Sequence, residues 1–295
     1  MTSHLRGGIV CFDGASGAAG DMFLGAAIDA GVPATIIAEA LDMAGIGGHR
    51  LGHEKIAKAG IAATNVTIDC TVDGHDHHHD HHHYRDIRAR IENASFDEDT
   101  RRRALDIFAR LAAAEAAIHG TSVDDVAFHE VGAIDSIADV VGAARALAEL
   151  APVACYAPRV CVGDGQVRSA HGILPVPSPA ALAILRDAGA VISGGGIARE
   201  LCTPTGAAIL AHAVTAWEAM PAMRPVAIGY GAGDAELPDR PNVLRLTVGH
   251  PAAAATADVV VEIQANLDDM SPELCGHAHA ALLAAGAIDV WWTPV

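Results

Sequence analysis

The sequence predicts a mixed α/β (α+β) protein: a main mixed-sheet domain with packed helices, followed by the start of a ferredoxin-like β-α-β domain. Three observations predict it. Short apolar runs of strand length alternate along the chain with longer segments of helical spacing. Hydrophobic residues make up 51% of the 295 while aromatics make up 4%, so the core is built mainly of Ala, Val, Leu and Ile, which suits helices on a buried sheet. The Pro/Ala stretch "GHPAAAATAD" at 249–258 lacks periodicity, which places an N-terminal domain at 1–250, a linker at 251–257 and a second unit at 258–295.

The elements follow in order. "GGIVCFD" reads as a strand ending in Asp13, "GASGAAG" as a glycine loop, and "DMFLGAAIDAG" as a helix closed by Gly31. "ATIIAEALDMAG" is a second helix, and "HRLGHEKIAKAGIAATNVTIDC" a pair of strands. "YRDIRARIENA" and "DEDTRRRALDIFARLAAAEAAIHG" are two helices, the second capped by Gly120. "AIDSIADVVGAARALAEL" is another, opened by "AFHEVG". "CYAPRVCVGDGQVRSAHG" places "GDG" between two alternating runs, a hairpin signal. "PVPSPAALAILRDAG" and "CTPTGAAILAHAVTA" carry Pro near a helix start, and strands return at "MRPVAIGYGAG" and "NVLRLTVG". Beyond the linker come strand "VVVEIQANL", helix "SPELCGHAHAALLAAG" and strand "AIDVWWTPV". One such β-α-β unit cannot bury both faces of its sheet, so the expectation is a cut-short domain completed by something outside this chain or by a partner.

Charge and composition exclude several roles. A formal charge of −17, from 36 acidic against 19 basic residues, repels nucleic-acid phosphates and anionic lipid alike. No apolar run approaches the roughly 18 to 20 residues that cross a bilayer, and the N-terminus has no secretory core. A cytoplasmic protein is expected, without nucleic-acid or membrane partners and as a homo-oligomer. Six cysteines without a C-x-x-C pair read as reduced, mostly buried thiols.

Four constellations can carry chemistry. In "FDGASGAAGDM", a strand ends in Asp13 and turns through Ser16, Gly17 and Gly20 into a helix, which gathers backbone N–H groups around a volume suited to phosphate. Asp13 and Asp21 flank it and can hold a divalent ion; a tight turn with Asp21 as N-cap is the competing reading. In "FHEVGAIDSIADVVG", Asp135 and Asp139 are four apart on one helix face, preceded by His129 and Glu130, a donor set that suits a first-row metal; capping by Glu130 with two solvated carboxylates competes. The tract at 73–83 carries His75, His77, His78, His79, His81, His82 and His83, an exchangeable store for nickel, copper or zinc unless it is merely a solvated loop. In "RELCTPTGAAIL", Thr203 is the N-cap and Pro204 the first helical residue, with Thr205 and Gly206 in the opening turn; a Thr activated by His171, near Glu200, is the weaker chemical reading. Asn242 and Arg245 in "NVLR" add phosphate or carboxylate contacts.

Taken together, "FDGASGAAGDMFLGAAIDAG", the His-rich loop running into "YRDI", "FHEVGAIDSIADVVG", "HGILPVPSPA", "ELCTPTGAAIL", "GYGAGD", "PNVLR" and "NLDDMSPE" resemble, in this order, the LarC family of nickel insertion proteins. The resemblance covers essentially the whole chain. It implies a nickel chelatase that loads Ni2+ into pyridinium-3,5-bisthiocarboxylate mononucleotide, completing the nickel-pincer nucleotide of lactate racemase-type enzymes, with CTP and Mn2+ or Mg2+. It also implies a C-terminal domain past "DVWWTP" that holds the CTP site, which some relatives carry as a separate C-terminal half. Proton removal from the ring carbon by His129 or Glu130 is our own expectation. Two rival classes stay open: a nickel metallochaperone or store without chemistry, and a metal-dependent phosphohydrolase using Asp13, Asp21, Asp135 and Asp139.

Overall fold

Ile9–Asp13 (β1) is apolar up to its last residue and is buried accordingly, because an uninterrupted apolar run needs cover on both sides. The computed structural model describes residues 3–69, 82–128, 134–169, 171–252 and 261–293. After β1 come α1 (Gly20–Asp29) and α2 (Ala34–Met43). β2 (Leu51–Lys58) and β3 (Ile61–Ile68) form an antiparallel hairpin through Ala59 and Gly60, both at positive φ, a turn whose twist matches the strands. β4 (His82–His83) runs into α3 (Tyr84–Asn93). α4 (Glu98–His119) starts at Asp97, whose carboxylate accepts from Thr100 N at 2.9 Å, and ends at Gly120 in the left-handed conformation, the stop its sequence predicts.

β5 (Ala127–Phe128), α5 (Ile134–Leu150), β6 (Ala154–Tyr156) and β7 (Val160–Cys161) follow, then β8 (Gln166–Ser169), β9 (Gly172–Pro175), α6 (Pro179–Asp187) and β10 (Ile192–Ser193). α7 (Pro204–Ala213), β11 (Met223–Ala232) and β12 (Val243–Pro251) complete the main unit. The principal sheet has six strands in the order β2-β3-β11-β12-β1-β6. β1 is antiparallel to β12 and parallel to β6, and β11 is antiparallel to β12 and parallel to β3, so the sheet is mixed.

α1 lies directly on this sheet. A Cβ on Gly25 would overlap the Thr64 carbonyl, and one on Gly229 or Gly231 would overlap the Ala26 or Met22 carbonyl. The glycines of "GYGAG" therefore serve close helix-on-sheet approach. α5 packs on α1 and α2, and α4 packs on α5 and α7, enclosing one core that contains Phe12, Phe23, Leu24, Ile37 and Phe108. Cys11, Cys155, Cys161 and Cys202 are buried free thiols; Cys70 lies outside the described residues. No helix among the described residues is long and apolar enough to cross a membrane.

Two local expectations change. The "GDG" segment does not turn a hairpin: β7 pairs in parallel with β10, and β8 pairs antiparallel with β9, which places the turn near His171. The physical reason is that Gly163 and Asp164 are recruited by another loop, with Asp164 Oδ2 accepting from Gly196 N at 2.8 Å and a Gly163 Cβ barred by the Arg199 carbonyl. Strand β12 extends through Pro251, so that residue, expected to open the linker, belongs to the sheet.

Met1–Ala253 and Ala254–Val295 are separate compact units. In the second, α8 (Pro272–Ala284) is capped by Ser271, and the strands expected on either side of it are unpaired among residues 261–293. Two strands flanking one helix offer each other too few hydrogen bonds and too little cover to persist, and Ile263, Ile288 and Trp291 stand exposed.

Candidate functional site

The first and fourth constellations of the sequence are one place. After β1, Gly17 N donates to Gly14 O at 3.0 Å and Gly17 adopts a positive φ, closing a tight turn. Ala18 N then donates to Leu201 O at 2.9 Å and Thr203 N donates to Ala18 O at 3.1 Å, so the loop is laced to the start of α7. A Cβ on Gly206 would overlap Ala18 O, and one on Gly17 would overlap Leu201 O. These two glycines are thus spent on packing chain against chain. Ser16 and Thr205 are buried beside them. Thr203 Oγ1 accepts from Gly206 N at 3.1 Å, the capping role. His171 packs instead against His119, with ring centroids 4.8 Å apart and the rings tilted by 51°, and Glu200 Oε1 accepts from Ser178 N at 3.3 Å. Replacing Thr203 with Ala should cost about 1 kcal/mol of stability by calorimetry; an unchanged melting temperature would mean the cap contributes nothing.

The second constellation meets the first at α1. Gly20 opens that helix, and a Cβ there would overlap the Asp139 carboxylate. Ala19, with no side-chain cap, is the N-cap, so Asp21 sits inside the first turn. Burial pushes the Asp21 carboxyl up to about 6, aided by the charges of Asp234 and Asp135 and partly offset by the Met22 and Asp21 backbone N–H groups. Burial, then Asp21 and Asp135, push Asp139 well above the ordinary carboxylate range. Asp135 is exposed and accepts from Ser136 N at 2.7 Å. The anion at this helix end is therefore the protein's own, and two carboxyls with raised affinity for protons share one helix terminus.

Other predicted residues are engaged elsewhere. Asp13 and Arg245 are cross-strand neighbours, with Arg245 Nη2 donating to Asp13 Oδ2 at 2.6 Å. Asn242 Nδ2 donates to Ala235 O at 3.1 Å, and Asn242 O accepts from Gly233 N at 3.1 Å, which folds the 233–242 loop. His75, His77, His78, His79, His81, His129 and Glu130 lie outside the described residues, as does the His82 side chain. The tract's end is placed, however: His82 pairs with Phe128 and His83 with Ala127, so the end of the tract meets the chain one residue before His129. His83 Nδ1 is buried without a hydrogen-bond partner among the described residues.

The sequence reading missed Asp234. It follows β11 in "GAGD", adjoins Asp21 electrostatically, and accepts from Asn65 Nδ2 at 3.3 Å, while Lys58 Nζ donates to its carbonyl at 3.0 Å. A carboxylate at a strand end after glycine was the only local signal. Among the described residues no three His, Cys, Asp or Glu side chains form a metal-holding group.

Fold and site together define a mixed α/β protein that gathers titratable carboxyls around a glycine-loop helix start and pairs the end of an imidazole tract with the strand Ala127–Phe128. Residues 10–295 match the family model described as nickel insertion protein. The chain belongs to that family. It is 44% identical over 283 residues to the pyridinium-3,5-bisthiocarboxylic acid mononucleotide nickel insertion protein of Nocardioides sp. (strain ATCC BAA-499 / JS614), covering 96% of this chain and 70% of the relative. It is 41% identical over 301 residues to the protein of the same name from Geobacillus kaustophilus (strain HTA426), covering 97% and 73%. No solved structure matches.

Proposed function

We propose that this chain inserts nickel into pyridinium-3,5-bisthiocarboxylic acid mononucleotide to form the nickel-pincer nucleotide. The observation that carries this reading is similarity along nearly the whole chain to relatives bearing that name. Nickel is the cargo, and the site's chemistry suits a cargo that leaves. Imidazoles at 75–83 load the ion, with His129, Glu130, Asp135 and Asp139 as the receiving donors. Forming a nickel–carbon bond at the ring breaks a C–H bond and releases one proton. A carboxylate with its pKa near 6, as at Asp21, accepts a proton near neutral pH better than an ordinary one. Burial beside Asp21 and Asp135 raises the proton affinity of Asp139 as well, so metal binding there competes with a proton.

CTP with Mn2+ or Mg2+ as co-substrate, a separate C-terminal half as partner and a lactate racemase-type apoenzyme as recipient rest on the motif resemblance. A homo-oligomer in the cytoplasm is the proposed setting, with 1–250 as the insertion domain. The test incubates the chain with Ni2+, CTP and the thiocarboxylate nucleotide, with and without an added C-terminal half, and searches by mass spectrometry for the nickel–carbon product. Product is expected. Nickel uptake without product in both arms would reduce the chain to a metallochaperone.

A further inference from the structure

A mononucleotide carries a phosphate, and a chain of charge −17 must meet it with cations not already neutralised at home. Many arginines here are neutralised: Arg245 pairs with Asp13, Arg103 with Asp99, Arg110 with Asp106 and Arg240 with Asp239. The helix starts of α1 and α7 are occupied by Asp21, Asp139 and Thr203. Arg168 and Arg199 differ. Both line a cleft of about 460 Å³, and their guanidinium groups hold no hydrogen bond or ion pair among the described residues.

The cleft has the other features a nucleotide requires. Its volume lies within the roughly 300–1,000 Å³ of small-ligand pockets. Ile197, Leu237 and Pro238 give it apolar wall for a ring, and Gln166 gives it an amide. Its two carboxylates are already engaged, Glu236 with Lys58 Nζ at 2.6 Å and Glu200 with Ser178 N. The walls are fixed before any ligand arrives: Asp164 N donates to Ile197 O at 2.8 Å, Leu201 N to Val162 O at 3.1 Å, and Arg240 Nη2 to Gly195 O at 3.0 Å. A Gly163 Cβ is excluded by Arg199 O, so the displaced "GDG" turn is what presents these arginines. The loops that line the cleft continue to Asp234 on one side and to Leu201–Thr203, against Ala18, on the other.

We propose that this cleft binds the phosphate end of the mononucleotide substrate, with the guanidinium groups of Arg168 and Arg199 taking the phosphate oxygens. Planar, permanently charged forks match phosphate geometry. The inference rests on the nickel-insertion reading and adds where the nucleotide is held.

Titration calorimetry with nicotinic acid mononucleotide, its phosphate-free riboside and CTP tests it, on the full chain and on the Arg168→Ala/Arg199→Ala variant. The variant is expected to bind the mononucleotide about tenfold or more weakly, with riboside binding and melting temperature unchanged, and Lys at both positions recovering part of the loss. The KM for the thiocarboxylate nucleotide in nickel insertion should rise likewise. Equal affinity of both proteins for the mononucleotide, an equal loss for the riboside, or a loss confined to CTP would overturn the proposal. Absence of nickel insertion by the parent chain, with the phosphate-specific loss intact, would instead remove the insertion reading and leave the cleft.

Discussion

Replacing Asp21 with Asn should make the protein more stable at pH 7.5 and lower nickel insertion about 100-fold. Asp21 binds its proton more tightly folded than unfolded, because burial and the charges of Asp234 and Asp135 raise its carboxyl from 3.8 to about 6. Between those values the folded state holds more protons than the unfolded one, so stability falls as pH rises through the window and is level above it. The penalty at neutral pH is about 1 to 3 kcal/mol, the upper figure being the full shift at 1.36 kcal/mol per unit and the lower allowing for solvent at a half-buried group. Asn removes it. In a unit of this size that is a rise of a few degrees in melting temperature. Calorimetry from pH 4 to 8 should show the two proteins close at pH 4, diverging to pH 6 and parallel above. A variant no more stable than its parent at pH 7.5 would mean that the carboxylate is not a stored cost, and the proton-acceptor role would lose its basis.

Gly20→Ala should destabilise the main unit by about 3 kcal/mol and abolish insertion. The added methyl overlaps Asp139 Oδ2, Cγ and Cβ, so α5 must shift from α1 or the carboxyl must leave the helix start. Overpacking of this kind typically costs about 1 to 3 kcal/mol, and Asp139 sits on a helix face whose neighbours Ile137, Ala138, Val140 and Val141 are buried. Removing the whole opposing side chain separates clash from general damage: Gly20→Ala/Asp139→Gly takes away every overlapping atom, Cβ included, and should recover much of the lost stability, less about 1 kcal/mol for a helical glycine, while staying inactive, since contacting residues couple. If the double variant is no more stable than Gly20→Ala, the destabilisation has another origin.

Local signals were legible where the physics is local. Asp97 and Gly120 bound α4 through bonds that span three or four residues, and Thr203 with Pro204 opens α7 in the same way. The spacing of Asp135 and Asp139 put both on one face, where Asp135 raises the carboxyls of Asp21 and Asp139 alike. The "GDG" hairpin failed because its residues were captured by a loop some thirty positions away, a partner no window around the turn contains. Asp234 escaped notice for a like reason: Asn65, which holds it, belongs to a strand far earlier in the chain.

Composition, periodicity and capping residues by themselves determined the class of fold, nearly every helix, the strands of the main sheet and the family motifs, because hydrophobic patterning and backbone capping act over a turn or a strand. Only the tertiary structure decided that Asp13 answers Arg245, that Asp139 fills the space Gly20 leaves, that the end of the histidine tract meets the chain just before His129, and that Arg168 and Arg199 face one cleft. Those pairings depend on strand order and on which backbone can approach which, and such proximity between distant positions exists only once the sheet and its covering helices have assembled.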